Sequence, residues 1–147
     1  MKTEETRRDF NRGAVASALA LALSATSARA ETAPASGAST RREVIKQALP
    51  GKGDQTLTLI EVTYAPGAGS PPHLHANGVM AFVVSGKIAS QVGEGPEKAF
   101  SEGDAWWEPP AAVHRISRNA STTEPATLLA IYIAPNAAIG ADLMKPL

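Results

Sequence analysis

Beyond residue 42 the chain alternates short apolar runs with polar breaks rich in Gly and Pro, and the runs are dominated by β-branched and aromatic residues. The clearest is Thr56 to Tyr64 (TLTLIEVTY), bracketed by Gly51 and Gly53 on one side and by Pro66-Gly67 on the other. Glu43 to Ala48, Val79 to Ser85, Lys87 to Val92, Ala105 to Glu108, Val113 to Arg118 and Thr127 to Ala134 continue the series, with Gly, Pro or Asn in nearly every gap. Many short strands at even spacing predict an all-β domain closed as a small antiparallel barrel. A sustained helical period is missing from these runs; only Ala137 to Met144 offers a turn or two of helix near the C-terminus.

Residues 1–30 follow a different pattern. Arg7-Arg8 precede an apolar run from Ala14 to Ala25, and Ala28-Arg29-Ala30 is a small-x-small cleavage pattern, so this stretch reads as a twin-arginine export signal. A run of about a dozen apolar residues falls short of the roughly 20 needed to span a bilayer, which argues against a membrane anchor. Residues 31–42 have the small, polar composition of a flexible linker, residues 43–136 hold the strand series, and residues 137–147 form a C-terminal tail. The expectation is a periplasmic or secreted single domain, without stable membrane insertion once the signal is removed.

Charge and composition narrow the chemistry. The 147 residues carry 14 Lys and Arg against 14 Asp and Glu, and nine against eleven once residues 1–30 are set aside, so no basic face for nucleic acid is expected. Cysteine is absent, which removes disulfides, thiolate metal sites and a cysteine nucleophile. The three histidines are the informative residues: His73 and His75 in Pro-Pro-His-Leu-His, and His114 in Val-His-Arg-Ile. In an extended chain His73 and His75 project to one side, and a third imidazole from a neighbouring strand, about 4.8 Å away, can join them around one ion. Any metal is then held by nitrogen or oxygen, with the Met80 thioether as an outside candidate.

These residues also carry a family resemblance. Gly67, five residues, His73-x-His75, three residues, Val79, six residues and Gly86 resemble the first cupin motif. Gly103-Asp104, Pro109, His114 and Asn119 resemble the second. The resemblance implies a single-domain cupin jelly-roll β-barrel behind a flexible N-terminal export segment, with His73, His75 and His114 as ligands of a divalent transition metal. Fe2+ is the favoured ion, with Zn2+, Mn2+, Ni2+ and Cu2+ as alternatives. Two departures stand out. Val79 occupies the place of the family's glutamate ligand, which predicts three neutral imidazoles with no carboxylate, and Ala111 stands where glycine is usual.

Gln91, Glu108, Arg115 and Tyr132 lie on predicted strands where alternation can aim them inward, and are the candidate proton shuttles or anion clamps; Gln91, Glu108 and Arg115 are taken as the catalytic set. Of the adjacent Trp106 and Trp107, one should fill the core and the other face out. The leading expectation is a metal-dependent enzyme acting on a small organic molecule with dioxygenase-like chemistry. Its rivals are a lyase or isomerase at the same centre and a non-catalytic module that binds a small ligand or metal. A homodimer burying outward apolar positions such as Phe82 is a further expectation.

Overall fold

A computed structural model describes residues 38–138 and 143–147. The expected export signal, and the helical turn where it would cross residues 139–142, lie outside the described residues. Eleven strands are found among those described: β1 (Ser39–Ala48), β2 (Gln55–Tyr64), β3 (Gly69–Ser70), β4 (His73–Leu74), β5 (Val79–Ser85), β6 (Lys87–Val92), β7 (Lys98–Ser101), β8 (Ala105–Glu108), β9 (Val113–Asn119), β10 (Ala126–Pro135) and β11 (Lys145–Pro146). β1 begins at Ser39, so residues 39–42 of the expected linker belong to a strand, and β11 brings the end of the expected tail onto β4.

The strands form two antiparallel sheets. One runs β1-β2-β10-β5-β8, the other β11-β4-β9-β6-β7 with β3 also paired to β9. Period-two burial explains why they close on a core: in β5, Val79, Ala81 and Val83 are buried while Met80, Phe82 and Val84 are exposed, and in β10 every second residue from Ala126 to Ala134 is buried. The core joins Val62, Tyr64, Val83 and Leu128 of the first sheet to Ile88 of the second. Each large aliphatic side chain there contributes about 2 kcal/mol by leaving water.

Two features of the connections bear on the site. Gly78 has φ 75°, and a Cβ there would lie 2.8 Å from the Trp107 ring, so glycine lets β5 close against β8. That closure sets Val79 opposite Glu108. Ala111 has φ 59°, a left-handed conformation in which glycine costs nothing and alanine about 1 kcal/mol. Its backbone N–H donates to the His75 carbonyl at 2.8 Å, which ties the strained turn to a histidine of the cluster.

Asn119, at the end of β9, is 1% exposed, and its side-chain amide donates to the carbonyls of Ala65 at 3.2 Å and Glu124 at 2.7 Å. Its Oδ1 accepts the Ser121 N–H at 2.8 Å. The Asn119-Ala120-Ser121 tripeptide is therefore a structural clasp whose amide nitrogen is already committed.

Candidate metal centre

Short strands place the histidines. Pro71 and Pro72 keep the chain extended ahead of β4, and the two residues of β4 pair with β9 so that His73 lies directly opposite His114. Alternation then turns Leu74 away and brings His75 back to the same side. The ring centroids of His73 and His75, and of His73 and His114, are each 4.9 Å apart. Glu108 enters from β8 of the opposite sheet, so the cluster bridges the two layers. One donor atom from each of His73, His75, Glu108 and His114 lies within 4.8 Å of the others, and all four residues are buried.

The hydrogen bonds behind the cluster decide which atoms face inward. His73 Nδ1 donates to the Pro71 carbonyl at 2.7 Å and His75 Nδ1 to the Leu143 carbonyl, which leaves both Nε2 lone pairs pointing inward. Trp106 Nε1 donates to Glu108 Oε1 at 3.0 Å, which leaves Oε2 free. Ser90 Oγ lies 2.8 Å from His114 Nε2, and with Ser90 as acceptor His114 presents the lone pair of Nδ1. Backing ligands with a second layer of partners in this way fixes tautomer and orientation at metal sites.

One pair carries the strongest signal. Glu108 Oε2 and His114 Nδ1 lie 2.9 Å apart, and in that tautomer of His114 two lone pairs face each other with no proton between them, so neither has a hydrogen-bond partner. Buried polar atoms left without a partner cost about 1–3 kcal/mol each, so two of them side by side call for a third participant. Metal–nitrogen bonds of about 2.1 Å put neighbouring donors about 3 Å apart. The separations of Oε2 from His114 Nδ1, 2.9 Å, and from His75 Nε2, 3.5 Å, are of that size. The residues present fit a divalent transition metal.

Electrostatics agree. Burial, helped by the neighbouring His114 and His75 rings and opposed by the Pro71 carbonyl, pulls His73 down from 6.5 to about 4. Burial likewise lowers His75. For Glu108 burial alone would raise the carboxyl, but the His114 and His75 rings and the Trp106 N–H outweigh it and hold it below its ordinary value. At neutral pH the site therefore offers neutral imidazoles at 73 and 75 and an ionised carboxylate, the protonation states a metal requires.

The absence of a carboxylate expected from Val79 is corrected by the register. Val79 is 1% exposed and lines the chamber, and its partner across the β5–β8 ladder, Glu108, supplies the carboxylate instead. Glu108 thus stands within the histidine cluster rather than beside it. Gln91 and Arg115 are not brought to the cluster. Ser90 and His114 take the inward positions of β6 and β9, so each following residue turns away. Gln91 Nε2 donates to the Gly95 carbonyl at 2.9 Å, and Arg115 donates to the Gly93 carbonyl at 2.9 Å and pairs with Glu94.

Tyr132 does face inward, its ring 5.4 Å from that of His75, and burial beside the Glu108 carboxylate raises its phenol well above the usual value. Met80 is exposed, as is Trp107, while Trp106 turns inward to Glu108. Ser90 and the Leu143 carbonyl had no signal in the sequence, since a serine in a strand and a backbone oxygen near the C-terminus carry no motif. The chamber at the cluster is about 30 Å³, on the scale of one water molecule.

Residues 60–132 match the family model described as cupin domain. No curated protein matches the chain's sequence. Among solved structures, a cupin-like protein from Thermotoga maritima is 22% identical with a TM-score of 0.57, the match covering 76% of this chain and 77% of that one. A protein with a double-stranded β-helix domain from Klebsiella pneumoniae is 24% identical with a TM-score of 0.52, over 72% and 84% of the two chains. The DMSP lyase DddQ from Ruegeria pomeroyi is 18% identical with a TM-score of 0.56 over 69% of this chain, which spans about half (49%) of the lyase. At such identities the likeness is one of fold, a jelly roll of two antiparallel sheets. Taken together, the match and the fold identify a cupin domain over residues 60–132 and support placing the chain in the cupin superfamily.

Proposed function

We propose that this chain is an exported cupin enzyme that holds one divalent transition metal through His73, His75, Glu108 and His114 and acts on a small organic molecule. The observation that carries the reading is the orphaned pair, Glu108 Oε2 and His114 Nδ1, converging 2.9 Å apart on the space that the His73 and His75 lone pairs also face. Fe2+ is the ion we favour, because it is the one among the candidates that serves oxygenase chemistry at imidazole and carboxylate donors, with Zn2+, Mn2+, Ni2+ and Cu2+ also compatible. When bound, the metal supplies Lewis-acid polarisation of a substrate oxygen, or for iron a place for substrate and dioxygen together.

The chain's own residues hold and shape this chemistry. Trp106 and Ser90 fix the carboxylate and the third imidazole from behind, and Pro71 and Leu143 fix the other two. Val79, Ala81 and Leu128 line the chamber with apolar surface that excludes bulk water. Tyr132, kept protonated by its raised phenol, is the inward-facing group available to donate a hydrogen bond to a substrate oxygen. A pure binding module needs no such donor, so Tyr132 favours an enzyme. Dioxygenase-like chemistry is the reaction class we favour, and lyase or isomerase chemistry uses the same centre.

Elemental analysis of the purified protein, followed by oxygen-uptake assays on small organic acids, diketones and phenols, tests the reading. Near-stoichiometric iron and metal-dependent oxygen consumption that fall together in His114→Ala support it. Failure to take up any divalent metal after reconstitution defeats it. Metal-dependent turnover without oxygen consumption would move the reaction to the lyase or isomerase class.

A further inference from the structure

The chamber at the cluster offers about 30 Å³ of free space, well below the roughly 300 Å³ or more of a ligand pocket, so the body of a larger organic substrate would lie outside it. A second cavity of about 480 Å³ adjoins it, and Arg41, Val62, Tyr132 and Met144 line both. The remaining wall of the outer cavity is Glu43, Ile60, Leu143 and Pro146. Among the described residues its surface is therefore mostly apolar, with one cation, Arg41, at the boundary between the two spaces and one carboxylate, Glu43, on the outer wall.

Arg41 reaches that boundary from the edge strand β1. It stands opposite Val62, whose buried side chain faces the core, and directly paired residues of an antiparallel ladder share a face. Its hydrogen bonding sets it apart. Arg42, Arg115 and Arg118 are paired with Glu61, Glu94 and Glu97 respectively. Among the described residues Arg41 has no acidic partner: a single nitrogen, Nη2, contacts the Ser70 hydroxyl at 2.9 Å and the Met144 thioether at 3.4 Å. The rest of its donor fork makes no hydrogen bond with the described residues. Ser70 in turn contacts the Tyr64 hydroxyl at 2.7 Å, and that hydroxyl lies 2.9 Å from Ser117 Oγ in the chamber wall, so the guanidinium is held by an ordered chain of hydroxyls.

We propose that the outer cavity seats an organic carboxylate, its anionic end clamped by the Arg41 guanidinium at the boundary and its apolar body packed along Ile60, Leu143 and Pro146. A planar fork with unused donors matches a carboxylate bidentately, and a neutral amide satisfies it less well. Arg41 then orients the substrate so that only its reacting end enters the chamber. The assignment rests on the reading of the His–Glu cluster as the reacting centre.

Isothermal titration of the full chain with straight-chain carboxylates from acetate to octanoate, and with the corresponding amides, tests it in metal-free and zinc-loaded protein. At least one carboxylate should bind tenfold or more tightly than its amide in the metal-free protein. Arg41→Met should erase that preference, Arg41→Lys should keep part of it, and Glu43→Gln, which removes the carboxylate that lines the outer cavity among the described residues, should strengthen it. Unchanged urea midpoints would show that the variants fold.

Absence of preference throughout the series, or a preference that survives Arg41→Met, overturns the proposal and leaves Arg41 as an inward charge guarding an edge strand. Zinc uptake measured on the same samples separates the two claims. An Arg41-dependent preference in protein that takes up no zinc keeps the carboxylate site and sinks the metal centre.

Discussion

Lowering the pH of the metal-free protein is the perturbation whose size follows most directly from the cluster. His73 titrates at about 4 in the folded chain against 6.5 as its ordinary value, chiefly because it is buried. Between those values the unfolded chain binds a proton that the folded chain refuses, so stability rises with pH there and falls on acidification. It is fully present above about pH 6.5 and is lost as pH drops toward 4. The full shift is worth about 3 kcal/mol, and about 2 kcal/mol of it is gone by pH 5. His75, also lowered by burial, acts in the same direction. The depressed carboxyl of Glu108 adds a loss that begins only below its ordinary value of 4.5.

Urea unfolding of chelator-treated protein at pH 7, 6 and 5 measures this. With a slope of about 1–2 kcal/mol/M, the midpoint should fall by at least about 1 M between pH 7 and pH 5. His73→Gln, which cannot gain the proton, should flatten the dependence by about 2 kcal/mol. A midpoint that stays level from pH 7 to 5, or an identical slope in His73→Gln, would refute the claim that these imidazoles are buried and neutral. Metal competes with protons for the same nitrogens, so excess zinc should move the acid transition to lower pH.

Other expectations follow from single contacts. Trp106→Phe removes the N–H that holds Glu108 Oε1 and should weaken metal binding about 10–100-fold, read by competition with a chromogenic chelator. Ser90→Ala leaves His114 Nε2 without a partner and should cost about 1–3 kcal/mol in urea unfolding, with metal affinity lowered by a similar 10–100-fold. Ala111→Gly relieves the left-handed strain at φ 59° and should stabilise the protein by about 1 kcal/mol, with metal content unchanged. Asn119→Ala breaks a buried clasp and should destabilise by about 3 kcal/mol without altering metal stoichiometry in the folded fraction.

How much of this was legible in the sequence depended on whether the information was local. Strand positions were, because period two and Gly/Pro punctuation are local: the apolar run VMAFVVS is β5 with its alternate residues buried. The three histidines were, because their spacing on short extended segments brings them to one side. Glu108 was visible as a residue but not as a member of the cluster. Its place depends on the β5–β8 register that sets it opposite Val79, and register is a tertiary property. Gln91 and Arg115 went the other way for a one-residue reason, since Ser90 and His114 hold the inward positions of their strands. Arg41 lay in the expected linker and became informative only when β1 carried it to the edge of the first sheet.

The most direct test of the centre is anomalous diffraction from crystals of the protein reconstituted with iron or zinc, collected at the absorption edge of that metal. A single peak should lie about 2.1 Å from His73 Nε2, His75 Nε2, Glu108 Oε2 and His114 Nδ1. No peak among these residues at full metal loading, or a peak that leaves Glu108 uncoordinated, would contradict it.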